Sequence, residues 1–186
     1  DFSLDRVSKA GAKFDFEKGK WFNHWYLMQK DDAELAQQFL PYIEKELAGK
    51  GETNPRTMQQ ITHIVALMKE RVNFVSELWQ QCDFFFTAPT EYDEKSLKKR
   101  WKEDSPQHIT QLFELLKQQD DWSAEALDQV VMAWIAEKEY GVGLVMNAFR
   151  ICLVGAARGP HIWNITDILG KEETLRRVRT ALTRIC

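Results

Sequence analysis

The sequence lacks the marks of several common protein classes. It holds only three cysteines in 186 residues, Cys82, Cys152 and Cys186, and no CxxC pair. Cysteines so few and so widely spaced exclude a disulfide framework, argue against a structural zinc site and indicate a reducing compartment such as the cytosol. No apolar run approaches the roughly 20 residues that a membrane-spanning helix needs, and no signal-peptide pattern opens the chain. We therefore expect a cytoplasmic protein that binds no membrane.

The usual catalytic and nucleotide-binding motifs are missing as well. There is no GxxxxGK[ST], no HExxH and no GxSxG, and residues 141–146 lack the third glycine of the dinucleotide fingerprint. The four histidines show no ligand spacing. We therefore expect no catalytic residue, no metal site and no cofactor in this chain. A hydrolase that uses a Cys–His pair stays open as an alternative, although no spacing supports it.

Charge of one sign is not in excess. Lys plus Arg number 25 and Asp plus Glu number 28, which gives a net charge of -3. This balance excludes a uniformly basic protein that coats RNA or DNA, but it allows a local basic face. A hydrophobic content of 44% and a charged content of 28% are typical of one large globular domain or two small ones.

The spacing of apolar residues predicts about seven helices and no strand. The clearest is a single helix that Asn54 caps and Pro55 starts. Its apolar stripe runs from Met58 to Cys82, over about 25 residues. An earlier helix is predicted over 33–47, and Pro41 is expected to kink it or end it early. Further helices are predicted over 95–101, 105–116, 123–135, 145–155, 162–169 and 172–185, with Gly155 and Gly170 ending two of them and a turn at 141–143.

The first 27 residues and the segment 83–90 break this helical pattern. We expect residues 1–22 to be irregular, with a turn at 17–19. The aromatic cluster at 21–27 is expected to form one or two helical turns that dock on a core. The segment 83–90 contains Pro89 and predicts a boundary between two subdomains.

Basic residues concentrate toward the C-terminal end. Between Arg150 and Cys186, seven lysines and arginines stand against three acidic residues. With His161 and Trp163 beside it, such a segment suits a nucleic acid with unstacked bases, because arginine binds phosphates and base edges and aromatic rings stack on bases. The alternative is that cations near helix C-termini only offset the helix dipole. Charge alone does not decide between the two.

Two parts of the sequence resemble one known family. Residues 5–15 read DRVSKAGAKFD and residues 18–24 read KGKWFNH, which is similar to the segment after the catalytic domain in bacterial glutamyl-tRNA synthetases. Residues 149–155 read FRICLVG and residues 169–177 read LGKEETLRR, with Gly-Pro between them at 159–160. This part resembles the end of the anticodon-binding domain of those enzymes, most closely of the Bacteroidetes type. The two parts stand in the family's order and bracket the chain.

The resemblance implies an all-α helical cage and a function. An irregular end of the stem-contact region would cover 1–30, a first helical anticodon-binding subdomain 31–88, and a second one 89–186. The partner would be tRNA(Glu), bound by a monomer that binds no DNA. The parent enzyme would join glutamate to tRNA with ATP and Mg²⁺. Its catalytic domain would lie upstream, since this chain has no initiator Met and reads as a piece of a longer protein.

The resemblance also implies which residues read the anticodon. In the family, the anticodon pocket is lined by the arginine of the "lR" helix, by a loop ending in Gly-Pro and by the apolar residue just after that loop. These positions are Arg150, Gly159, Pro160 and Ile162 here. A further arginine reads the last anticodon base, and Arg71 is its best match. The anticodon of tRNA(Glu) ends in U and C, and the fixed fork of an arginine fits a cytosine edge or a phosphate.

A second function, from another class, remains open at this point. Seven tryptophans in 186 residues also fit a helical protein–protein interaction module that uses a Trp-rich surface.

Overall fold

Helices are the only regular secondary structure in the described part of the chain. The computed structural model describes residues 15–185, and over this range it has ten α-helices and no β-strand. The helices are α1 (Phe16–Gln29), α2 (Asp32–Ala48), α3 (Met58–Met68), α4 (Leu78–Cys82), α5 (Glu94–Arg100), α6 (Ser105–Lys117), α7 (Ala124–Glu137), α8 (Val142–Val154), α9 (Ile162–Leu169) and α10 (Lys171–Ile185). The predicted all-α class is confirmed. Not one helix in this range has the length and apolar character that a bilayer crossing requires.

The helix α1 begins earlier than the sequence predicts. The carboxylate of Asp15 accepts hydrogen bonds from the backbone amides of Glu17 and Lys18, at 3.1 and 3.2 Å, and so caps the helix. This cap keeps the chain helical through Gly19, so the irregular segment and its turn are wrong over residues 16–22. The predictions for residues 1–14, including most of the first family motif, lie outside the described range.

The aromatic cluster on α1 docks by one member only. Leu27 is buried, whereas the large rings that precede it are exposed to solvent: Trp21, Phe22, Trp25 and Tyr26. On its inner face, α1 is held by polar contacts. Asn23 donates to the carbonyl of Asn73, and the ring of His24 bonds the carbonyl of Val72 at 2.8 Å. The expected docking of the whole cluster on a core is therefore wrong.

Pro41 neither ends nor shortens its helix. The helix α2 runs through it from Asp32 to Ala48. A proline inside a helix removes the hydrogen bond to the carbonyl four residues earlier. Here both Pro41 and Gln37 lie on the exposed side, where water can satisfy that carbonyl, while Leu35, Phe39 and Ile43 keep the opposite face in the core.

The predicted 25-residue helix is broken into pieces. Its start moves to Thr57, whose side chain forms a capping box with Gln60, so the predicted start at Asn54 and Pro55 is wrong. A 3₁₀ turn covers Lys69–Arg71, and the backbone is then extended at Val72 and Phe74 before a second 3₁₀ turn, Val75–Glu77, leads into α4. The apolar stripe survives this break because α3 and α4 both face the core.

The second half of the chain follows its predictions more closely. Helices α5, α6, α7, α9 and α10 begin and end within a few residues of the predicted bounds. Gly155, at φ 80°, ends α8 in the left-handed conformation that glycine adopts without strain. The predicted turn at 141–143 is wrong, because Gly141 caps α8 and the helix begins at the next residue.

Arginine side chains join the first half of the fold, residues 15–82, to the second half, residues 86–185. A 3₁₀ turn, Asp83–Phe85, follows α4 and lies between the halves. Arg56 donates to the carbonyls of Phe85 (2.7 Å) and Ile168 (2.8 Å). Arg177 donates to the carbonyls of Phe84 (2.6 Å) and Leu153 (2.9 Å). The buried apolar residues of both halves form one core. The subdomain limits at residues 30 and 88 stay predictions.

Candidate nucleic-acid interface

Arg150 and the loop that contains Gly159 form the centre of the candidate site. Arg150 lies in the second half of α8 and is half-buried. Its Nη1 donates to the carbonyl oxygens of Arg158, at 3.2 Å, and Pro160, at 2.6 Å. The guanidinium therefore spans the Gly-Pro loop, which connects α8 to α9. These two bonds use Nη1, and the fork has further N–H donors on Nε and Nη2.

Gly159 allows the loop to pass this close to the arginine. Its φ is +103°, a backbone conformation that other residues adopt only with strain. A Cβ at this position would lie 3.0 Å from Cζ of Phe84, 3.3 Å from Cδ1 of Ile165 and 3.5 Å from Nη1 of Arg150. Both the dihedral angle and the lack of space therefore require glycine here.

Arg71 and Arg150, from the two halves of the chain, lie within electrostatic reach of each other. Burial in first place, and the charge of Arg71 in second, lower the pKa of Arg150. Arg71 is exposed at the end of its 3₁₀ turn. Within residues 15–185, neither arginine forms a salt bridge with a carboxylate. Two like charges within electrostatic reach, neither of them in an ion pair, favour an anionic ligand.

The other two predicted site residues turn their side chains inward. Pro160 is buried, and Ile162 is 3% exposed in the first turn of α9. His161 between them is exposed. The roles of Pro160 and Ile162 as lining residues stay predictions, and the loop offers mainly backbone groups and the His161 ring to solvent.

The basic C-terminal segment is mostly engaged within the protein. Arg158 pairs with Asp83, Arg176 and Arg177 pair with Glu173, and Arg184 donates to the carbonyl of Thr90. Arg179 lies over the ring of Phe113 and Lys171 donates to the carbonyl of Gln119. The segment as a whole is therefore not a free cationic surface. Arg150 forms no ion pair in the described range, and its hydrogen bonds go to the candidate loop itself.

Trp163 is not a stacking platform. Its side chain is 2% exposed, and its Nε1 donates to the carboxylate of Asp128 at 2.5 Å. The expectation that it stacks on bases beside the basic segment is wrong, because α9 turns this ring toward α7 and the core.

Sequence reasoning missed the position of α1 beside Arg71. An open cavity of about 480 Å³ is lined by Arg71, by its neighbour Glu70 and by residues of α1, among them Glu17, Lys20 and Trp21. The signal that could have found it is the polar pair Asn23-His24 between aromatic residues, which bonds the backbone just after Arg71.

The arrangement fits recognition better than covalent chemistry. Over residues 15–185 no three His, Cys, Asp or Glu side chains gather as metal ligands would. Cys82 and Cys152 are buried, and burial raises the pKa of the Cys82 thiol, which disfavours the reactive thiolate. A Cys–His hydrolase does not fit these positions. Arginine N–H groups beside backbone carbonyls and a glycine loop do fit the edges and phosphates of unstacked bases.

The helical fold, together with Arg150, its glycine loop and the exposed Arg71, is that of a helical domain suited to binding a nucleic acid with unstacked bases. Residues 33–182 match the family described as "Anticodon binding domain". Because that match covers most of the chain, the chain belongs to the anticodon-binding domain family.

Known proteins similar to this chain include glutamate–tRNA ligases of Bacteroidetes. The chain is 53% identical to the ligase of Phocaeicola vulgatus over 181 residues. This match covers 97% of the chain and 35% of the ligase. The chain is 46% identical to that of Flavobacterium johnsoniae, over 99% of this chain and 35% of the ligase. The chain thus spans about a third of the length of these relatives. The resemblance to this family is confirmed, including its Bacteroidetes type.

Solved structures agree with these relatives. The crystal structure of a glutamate tRNA ligase from Elizabethkingia meningosepticum, in complex with its amino acid, superposes with a TM-score of 0.82 at 34% identity. The match covers 100% of this chain and 36% of that one. A glutamate–tRNA synthetase from Elizabethkingia anophelis matches with a TM-score of 0.77 over 98% of this chain and 34% of its own.

Proposed function

We propose that this chain reads the anticodon of tRNA(Glu) as the C-terminal region of a glutamate–tRNA ligase. Arg150 and Arg71 are the proposed readers. Gly159 and Pro160 in the loop, with Ile162 at the start of α9, are the proposed lining of the site that receives the anticodon bases. The observation that carries the proposal is the pair of hydrogen bonds from Arg150 to the carbonyls of Arg158 and Pro160, because they hold the remaining N–H donors of Arg150 beside the loop, within electrostatic reach of Arg71.

The physical basis is the match between arginine and the anticodon bases. The anticodon of tRNA(Glu) ends in U and C, and both bases must leave the stack before their edges can be reached. Arginine donates to the O2 and N3 acceptors of cytosine or to a flanking phosphate. Each such contact is worth on the order of 1–3 kcal/mol, enough to select among tRNAs and far less than aminoacyl transfer requires.

The parent protein would supply the chemistry. It would ligate glutamate to tRNA(Glu) with ATP and Mg²⁺ in a catalytic domain outside this chain, in the cytoplasm and as a monomer. In this division of labour the chain would contribute selection of the tRNA, and the catalytic domain would bind the ATP and the metal.

A gel shift separates this proposal from its rival, a helical protein-interaction module. The exposed rings of α1, Trp21, Phe22, Trp25 and Tyr26, favour the rival. The chain is mixed with the anticodon stem–loop of tRNA(Glu) and with a copy in which U and C of the anticodon are replaced. Preference for the first RNA supports anticodon reading. Equal or absent binding of both supports the interaction module.

Charging kinetics test the reader directly. In the ligase that carries this region, Arg150→Ala is expected to lower kcat/KM for tRNA(Glu) roughly tenfold or more at sub-saturating tRNA. Charging at wild-type efficiency under these conditions would show that Arg150 is not a reader. Lys138→Ala is a suitable control, because Lys138 is exposed and pairs only with its neighbour Glu137.

A further inference from the structure

Arg158 connects the candidate loop to the first half of the fold. Its Nη1 donates to the carbonyl of Gln80 at 2.9 Å, and its Nη2 binds the carboxylate of Asp83 at 2.5 Å. The guanidinium also lies over the ring of Phe84, 5.1 Å from its centroid. Three separate contacts thus hold one side chain against α4 and the turn that follows it.

The backbone of the same loop is held from other sides. The carbonyl of Arg158 accepts from Arg150, and the amide of Ala157 donates to Oγ of Ser96 on α5 at 3.0 Å. Gly159 packs against Phe84, the ring that the Arg158 guanidinium covers. The position of the loop relative to Arg150 therefore depends on where Asp83 and Phe84 hold Arg158.

Two roles for Arg158 are chemically distinct. Its side chain and that of Asp83 are each 35% exposed, so a phosphate could reach the guanidinium from solvent. However, two of its five N–H groups are already used within the protein, and the paired carboxylate repels a phosphate. The contacts favour a side chain that acts on the loop and not on the RNA.

We propose that Arg158 is a positioning residue for the anticodon site and acts through Asp83, Gln80 and Phe84. It places the carbonyls of Arg158 and Pro160 where Arg150 donates to them. It thereby determines where this loop contacts an unstacked base. This inference rests on the proposed function for its RNA readout, and on the protein alone for its structural readout.

The removal of Asp83 distinguishes the two roles, because they predict opposite signs. If Arg158 positions the loop, Asp83→Ala and Arg158→Ala both reduce the preference for the matched over the base-replaced stem–loop, by roughly three- to tenfold. The double variant then loses no more than either single variant. The slope of log K against log salt stays unchanged, since no phosphate contact is lost.

The opposite outcome would overturn the proposal. If Arg158 contacts a phosphate, Arg158→Ala weakens both RNAs equally and reduces the salt slope by about 1. Asp83→Ala then binds as tightly as wild type or more tightly, because a repelling charge is gone. Arg176→Ala is the matched control: Arg176 forms a comparable exposed pair with Glu173, and its loss is expected to leave the preference unchanged.

A measurement without RNA keeps the inference independent of the proposed function. Amide hydrogen exchange at Ala157 is compared among wild type, Asp83→Ala and Arg158→Ala. Faster exchange in both variants, at unchanged exchange of core amides such as Leu153, supports positioning even if wild type fails to distinguish the two RNAs. Unchanged exchange at Ala157 in both variants contradicts it.

Discussion

Arginine residues in this fold are of two kinds, and single positions show the difference. Arg56, Arg158 and Arg177 spend their donors on backbone carbonyls and carboxylates, which fixes the seam between the halves. Arg150 donates to two carbonyls as well, but both belong to the candidate loop, and neither Arg150 nor the exposed Arg71 forms an ion pair within residues 15–185. The charge of Arg71 is close enough to contribute to the lowered pKa of Arg150. The sequence pattern does not separate these kinds, because an arginine in a basic segment reads the same whether it is buried or free.

Arg177 gives the first prediction at this scale. Its side chain is 2% exposed, and it satisfies the carbonyls of Phe84 and Leu153 as well as Glu173. Arg177→Ala leaves those buried acceptors without donors and is expected to lower the free energy of unfolding by about 3 kcal/mol. Urea unfolding measures the change. Arg176→Ala, on the exposed side of the same carboxylate, is expected to cost less than about 1 kcal/mol, and equal effects of the two variants would refute the assignment.

Cys82 gives the second prediction at the scale of single residues. It is fully buried, and burial raises the pKa of its thiol, so the thiolate needed for alkylation is scarce and out of reach. In the folded chain at pH 8, iodoacetamide is expected to leave Cys82 unmodified, and to label it after unfolding. Peptide mass spectrometry reads the outcome. Rapid labelling of Cys82 in the folded chain would restore the thiol hydrolase as a candidate.

Helices were easier to foresee than the breaks between them. Apolar periodicity identified α6, α7, α9 and α10 because each buries one face, and Ser123 and Gly155 mark real ends. It failed between Met58 and Cys82, where two short helices keep the same stripe in the core across an extended break. Glu77 stabilises the break by accepting from the amides of Asn73 and Phe74, a local cap that apolar periodicity does not reveal.

The end of α8 is testable with a pair of glycines. At Gly155, φ is +80° and a Cβ would lie 2.8 Å from the carbonyl oxygen of Glu91 and from Cβ of Pro89. Gly155→Ala is therefore expected to lower the free energy of unfolding by about 2 kcal/mol or more. Gly143→Ala, inside the same helix with its nearest neighbour at 3.8 Å, is expected to raise it by about 0.5–1 kcal/mol. Thermal or urea unfolding that shows the same sign for both would contradict this geometry.

The start of α10 makes the fold sensitive to acid. Burial by itself raises the pKa of Glu173, but the hydrogen bonds and charges of Arg176 and Arg177 together outweigh it and hold the pKa below its usual value. A carboxyl group with a lowered folded-state pKa stabilises the fold above its unfolded value of about 4.3, and this contribution is lost as pH falls through the folded pKa.

The prediction for α10 follows from that sign. The free energy of unfolding is expected to fall on acidification below about pH 4.3, and to fall less steeply in Glu173→Gln than in wild type. Urea unfolding at several pH values between neutral and acid gives both curves. Parallel curves, offset by a constant amount, would show that the Glu173 carboxylate does not contribute to the acid sensitivity.

At the scale of the whole molecule, the fold brings together residues that are distant in sequence. Family resemblance led to Arg71, Arg150 and Gly159, whereas helical patterns alone pointed to none of them. What could not be foreseen is the support around them: the arginine seam, the grip of Arg150 on two carbonyls, and α1 beside Arg71. Each depends on side chains that meet across 50 residues or more, or on a loop conformation, and neither has a local signature.

The proposed anticodon reading is tested most directly by the affinity of this chain for one RNA loop relative to another. Fluorescence anisotropy at one fixed salt concentration compares the tRNA(Glu) anticodon stem–loop with versions in which U or C is replaced, for wild type and Arg150→Ala. Wild type is expected to prefer the matched loop by roughly tenfold for each base, and Arg150→Ala to lose most of the preference at one of them. Equal affinity of wild type for matched and replaced loops would contradict anticodon reading by this chain.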